Sequence, residues 1–123
     1  MNKPASIASR PDPELLAFVR STPPFERLPD DVLDALCRRL TRLRLTAGTT
    51  LFEKAEPGDA MYLVLGGRLQ ASGASEDAAP AEPVEIGPRE LVGEMQILIG
   101  GRRTATVRAI VDTELARLEK SAL

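Results

Sequence analysis

The chain has 123 residues, one domain's worth, with a formal charge of −2, 43% hydrophobic and 3% aromatic residues, one cysteine and no histidine. That balance offers no basic field for nucleic acid. The missing histidine removes every Ser-His or Cys-His nucleophile pair and every His-ligated metal, and the lone Cys37 excludes an internal disulfide and fits a reducing cytoplasm. No Gly-x-Ser-x-Gly elbow, Walker loop, signal-peptide core or apolar run of the ~20 residues a membrane helix needs is present, so a self-contained enzyme and a membrane span are both disfavoured.

Residues 1–11 are polar and Pro-containing and are expected to be a flexible segment, with a domain over 12–123. Asp12-Pro13 reads as an N-cap with proline at the first helical position, and Leu15, Leu16, Phe18 and Val19 form an apolar stripe that Pro23-Pro24 ends. A second helix opens near Pro29-Asp30-Asp31 and repeats Leu33, Leu36, Cys37 and Leu40 at i, i+3, i+4 and i+7. Its acids stand at the start and Arg38 and Arg39 at the end, which suits the helix dipole. Cys37 on that stripe reads as plain core.

From Thr41 the period becomes two, with Arg42 and Arg44 alternating with Leu43 and Leu45. This places the arginines on a solvent face rather than in a nucleic-acid patch. Leu51-Phe52 begins a further strand, and Glu56-Pro57-Gly58-Asp59 is a turn cluster. Met61 to Leu65 and Arg68 to Ser72 are strands separated by Gly66-Gly67, a pattern that predicts a hairpin. Gly73 to Pro83, rich in Ala, Pro and acidic residues, reads as an exposed hairpin loop, Val84-Glu85-Ile86 as a strand and Gly87-Pro88 as a turn. Thr104 to Ile110 alternates, with Val107 and Ala109 facing away from Thr106 and Arg108. Thr113 to Leu118 suits a strand or a helical turn equally. Two short helices followed by many short strands predict a mainly β fold, an antiparallel barrel or jelly roll with flanking helices.

The segment from Gly93 to Thr106 carries the chemistry. Gly93 permits close backbone approach, and a helical turn after it presents free N–H groups to an anion. Gly100-Gly101 allows a tight return to Arg103, whose planar fork suits two oxygens of one phosphate. Glu94 would repel a phosphate, and fits a ligand that also presents a hydroxyl donor such as a ribose 2′-OH.

This stretch, Gly93-Glu94-Met95-Gln96 through Arg103-Thr104-Ala105-Thr106, resembles the phosphate-binding cassette of cyclic-nucleotide-binding domains. Upstream, Gly48, Phe52, Gly58-Asp59, Met61-Tyr62-Leu63-Val64 and Gly67 resemble that family's first strands, so the likeness runs roughly from Phe25 to Leu118. The resemblance implies a double-stranded β-helix jelly roll, with Glu94 on the ribose hydroxyl and Arg103 on the cyclic phosphate. Gly93, Met95, Gln96, Thr104 and Ala105 would line the phosphate. Thr104 leans slightly toward cyclic GMP, although bacterial cyclic-AMP binders also carry a hydroxyl there. Gln96 departs from the family, which usually has Ala in its place. Family members also continue into helices that lid the base; this chain ends at Leu123 soon after its last strand and is expected to be a fragment.

The expectation is a non-catalytic cytoplasmic module. It would bind cyclic AMP or cyclic GMP, move its flanking helices and control a covalently attached effector domain, with no cofactor, metal or nucleic acid and with a homodimer open. Gly100 to Ala109, followed by Asp112-Thr113-Glu114-Leu115-Ala116-Arg117-Leu118, is also similar to N-terminal domains of bacterial patatin-like phospholipases related to neuropathy target esterase. That likeness implies a hydrolase as the effector and, as an alternative, a ligand-free interaction domain. A third possibility is the sensor of a Crp-type transcription regulator, which would carry a helix-turn-helix downstream.

Overall fold

The structure, a computed structural model, describes residues 12–23, 25–73 and 83–122. The expected flexible segment 1–11 and the acidic loop from 74 to 82 lie outside the described residues. The chain divides into two compact units, one ending at Leu40 and the other beginning at Thr41.

The first unit holds α1 (Pro13–Arg20), a 3₁₀ turn (Phe25–Arg27) and α2 (Asp30–Arg39). Asp12 caps α1 as its sequence position predicts, its Oδ1 accepting from the N–H groups of Glu14 and Leu15 at 2.9 and 3.3 Å. Such a cap contributes ~1 kcal/mol. The buried residues repeat at i and i+4 on each helix, Leu15 and Val19 on α1 and Leu33 and Cys37 on α2, and the helices pack together. Arg20 pairs with Asp30 across them. Burial pushes the Cys37 thiol up from its ordinary value, so it stays protonated and inert, as a core residue should.

The second unit is two four-stranded antiparallel sheets. One runs β1 (Thr41–Leu45), β8 (Thr113–Glu119), β3 (Ala60–Gly66), β6 (Leu91–Val92), and the other β2 (Thr50–Phe52), β7 (Thr106–Ala109), β4 (Leu69–Ser72), β5 (Val84–Ile86). Both contribute to a single core, Tyr62, Val64 and Leu115 from the first sheet and Phe52, Leu69 and Val107 from the second. This is the mainly β jelly roll that the patterning predicts, built as two separate sheets rather than a closed barrel. Val107 and Ala109 are buried and Arg108 exposed, which agrees with the period-two reading of β7.

Two local expectations change. The glycine pair at 66 and 67 does not close a hairpin, because β3 and β4 belong to different sheets. Gly67 has φ +90°, and a Cβ there would lie 2.4 Å from Asp112 O and 2.6 Å from Thr113 Cα. The chain therefore bends at this point against the start of β8 and crosses between sheets, and the Arg68 N–H donates to Thr113 Oγ1 at 3.0 Å. Thr113–Glu119 resolves as a strand, since β8 lies between β1 and β3 and must supply backbone hydrogen bonds on both edges. The hairpin expected around the acidic loop is present, with Leu69, Gln70 and Ala71 opposite Ile86, Glu85 and Val84.

Candidate functional site

Between β6 and β7 the chain makes the turn its glycines predict. Gly93 takes φ +82° and begins α3 (Glu94–Ile99). A side chain at 93 would be strained by that φ and would lie 2.5 Å from Arg103 Nη1 and 3.1 Å from Ala60 O. Gln96 and Ile97 turn inward and are buried, whereas Leu98 and Ile99 are 73% and 76% exposed. Gly100 ends the helix, its N–H donating to Gln96 O at 3.0 Å.

The return segment is stitched to the loop after β2. Arg103 N donates to Glu56 O at 2.7 Å, Ala55 N to Arg103 O at 2.8 Å and Gly58 N to Gly101 O at 3.3 Å. Lys54 N donates to Thr106 Oγ1 at 3.0 Å. The turn cluster Glu56-Pro57-Gly58-Asp59 thus has a task that local signals did not reveal: it fixes the backbone that carries Arg103.

The Arg103 side chain is 1% exposed. Its Nη2 donates to Ala60 O at 2.7 Å, and its Nη1 to Gly93 O at 3.2 Å and Gln96 Oε1 at 3.1 Å. The guanidinium carbon lies 4.0 Å from the centroid of the Phe52 ring, a cation–π contact. The nearest carboxylate oxygen, on the exposed Asp59, is 3.8 Å away. Nε is buried with no hydrogen-bond partner among the described residues. Burial pushes the guanidinium below its ordinary value, opposed by Tyr62 and Asp59; an arginine remains charged nonetheless. A cation is therefore held here mainly by neutral oxygens and an aromatic face.

Beside it lies a cavity of about 410 Å³. Gly93, Glu94, Met95, Gln96, Thr104 and Ala105 all line it; of the residues singled out from sequence, only Arg103 does not. Glu94 is half-buried and its carboxylate has no ion pair or hydrogen bond among the described residues. Arg102 was not anticipated. It lines the cavity while its Nη1 donates to Ala55 O at 2.9 Å. Phe52, by sequence only the start of a strand, lines the cavity and seats Arg103. No local pattern reveals either role, because both depend on which loop lies opposite the cassette. Among the described residues no group of three or more His, Cys, Asp or Glu side chains could hold a metal, and no helix is long and apolar enough to cross a membrane.

Comparison with known proteins agrees with the fold. Residues 42–123 match the family model of the cyclic nucleotide-binding domain. The chain is similar to lysophospholipase nte1 of Neosartorya fischeri, 39% identical over 79 residues, which covers 64% of this chain and 5% of that protein. It is also similar to the cyclic nucleotide-gated potassium channel mll3241 of Mesorhizobium japonicum, 34% identical over 104 residues, 85% of this chain and 27% of the channel. Among solved structures, the N-terminal domain of a transcriptional regulator from Streptomyces coelicolor superposes with a TM-score of 0.75 at 32% identity, covering 86% of this chain and 76% of that one. This chain thus spans only a small part of the curated relatives it matches. With two facing sheets, the glycine-bounded α3 and a family match running from β1 through β8, the chain belongs to the cyclic nucleotide-binding domain family.

Proposed function

We propose that this domain binds a cyclic nucleoside monophosphate, cyclic AMP or cyclic GMP, between Gly93 and Thr106 and reports occupancy to an attached effector. The observation that carries this reading is the charge arrangement. A buried Arg103, without a close carboxylate, lies behind a cavity whose wall includes an unpaired Glu94. The cation suits the cyclic phosphate and the carboxylate a ribose hydroxyl, with Gly93, Met95, Gln96, Thr104 and Ala105 around them. On this reading the module senses rather than catalyses, and the cytoplasm is where its ligand would meet it. A hydrolase is the proposed effector, on the likeness to the lysophospholipases.

Titration calorimetry with cyclic AMP and cyclic GMP tests this on the wild-type chain and on Arg103→Ala. Binding of at least one nucleotide is expected, weakened by ~2–5 kcal/mol in the variant, the usual cost of removing one partner of a buried charge pair. No heat from either nucleotide overturns the reading. One observation favours a ligand-free interaction domain instead: Gln96 already occupies part of Arg103. The same titration separates the two.

A further inference from the structure

Gln96 and Ile97 are the buried residues of α3, and a buried amide needs partners to offset its lost hydration. Gln96 is 7% exposed and finds its partner in Arg103, Oε1 accepting from Nη1 at 3.1 Å. That leaves Nη1 with two acceptors, Gln96 Oε1 and Gly93 O, and Nη2 with Ala60 O. The end of the guanidinium that would grip two phosphate oxygens is therefore already engaged by the protein. Gln96 lines the cavity and Arg103 does not. The place is shaped for this side chain: a Cβ at Gly58 would lie 2.1 Å from Gln96 Cβ and 2.5 Å from its Cγ. Only a glycine at 58 leaves Gln96 room to reach Arg103.

We infer that Gln96 is an internal competitor for Arg103, an amide acceptor that holds the arginine in the empty site and must be displaced by the anionic oxygens of the ligand. This rests on the cyclic-nucleotide reading above and adds to it how affinity is set. An ionised acceptor makes the stronger bond to a guanidinium, so the exchange favours the ligand once it begins. Apparent affinity is nonetheless reduced by the fraction of molecules in which Arg103 is still held. The domain is thereby tuned to respond at higher nucleotide concentration than the same cassette with alanine at 96.

The test is the titration of cyclic AMP and cyclic GMP into wild type, Gln96→Ala and Gln96→Glu, each first checked for a cooperative thermal transition. Removing a hydrogen bond to a charged group should tighten binding about tenfold or more in Gln96→Ala. Gln96→Glu, isosteric and negatively charged, should bind more weakly than wild type. A residue that merely filled the cavity would give the same order. Gln96→Met, which keeps the volume beside Gly58 and removes the amide, is therefore titrated beside them and should also bind more tightly than wild type. Should the alanine variant fail to fold, Gln96→Met alone carries the test. Wild-type binding that is unchanged or weakened in Gln96→Ala, or Gln96→Met binding no tighter than wild type, overturns the competitor and leaves the ligand reading standing. Binding by Gln96→Ala and Gln96→Met but not by wild type upholds the competitor and overturns nucleotide sensing by the natural sequence. No binding by any of the variants overturns both.

Discussion

Arg44 on β1 points toward solvent and meets Asp112 at 3.5 Å, and its half-buried neighbour Arg42 meets Glu114 at 3.1 Å, whereas Arg103 is fully buried, donates to amide and peptide oxygens, and has its nearest carboxylate at 3.8 Å. Both regions lie in one unit and both use arginine. On the sheet surface each cation has its own anion, and water screens what remains. Around Arg103 the protein supplies mainly neutral oxygens, with the exposed Asp59 at 3.8 Å as its nearest carboxylate, although burial there makes a charge costly. An arginine in the first setting is surface chemistry. In the second it is a buried cation steadied by Phe52 and Gln96.

That contrast can be broken or sharpened by substitution. Beyond the loss of binding expected of Arg103→Ala, the largest effect on stability is expected from Gly93→Ala. It forces φ +82° on a residue with a side chain and drives its Cβ toward Arg103 Nη1. Denaturant unfolding should show a loss of about 1–3 kcal/mol, together with loss of nucleotide binding. Arg44→Ala, by contrast, removes one partner of an exposed pair, should cost about 0–1 kcal/mol and should leave binding unchanged; a larger loss in the same unfolding measurement would erase the distinction between the two regions.

The smallest effect concerns Asp112, the partner of Arg44. The Ala47 N–H, donating to its carboxylate at 2.9 Å, holds Asp112 below its ordinary value, with Arg44 adding to the effect. The unfolded chain then takes up the proton first as pH falls. Asp112 therefore stabilises the fold above the ordinary value of 3.8, and that contribution is lost as pH falls from 3.8 through the lower folded value. In Asp112→Asn that part of the acid limb should flatten, measured as unfolding midpoint against pH.

Much of this molecule is legible in its residues taken in order. Asp12-Pro13 marks a helix start because the cap lies within three residues of the N–H groups it serves. Gly93, Gly100 and Gly101 mark the cassette because their positive φ values are local requirements that other residues meet poorly. The alternation of β7 follows from its one buried face, whereas on β1 Leu43 and Leu45 are only partly buried against the core and Arg42 is as covered as they are. The identity of β8 as a strand does not follow from its own residues, since it rests on having β1 and β3 on its two edges. Gly66-Gly67 bends the chain in either reading, but only the packing of Gly67 on Asp112 and Thr113 turns the bend into a crossing between sheets.

The site divides the same way. Residue type and spacing alone single out Gly93, Glu94 and Arg103, and Gln96 stands out only through the family resemblance, as a departure from its usual Ala. Tertiary structure alone decides that Arg103 rests on Phe52, that Ala60 and Gly93 lend it their carbonyls, and that Gln96 reaches it past Gly58. Those partners come from three separate stretches of chain. Hydrogen bonds between segments distant in sequence leave no periodicity to read, and exist only once the two sheets have closed on their core.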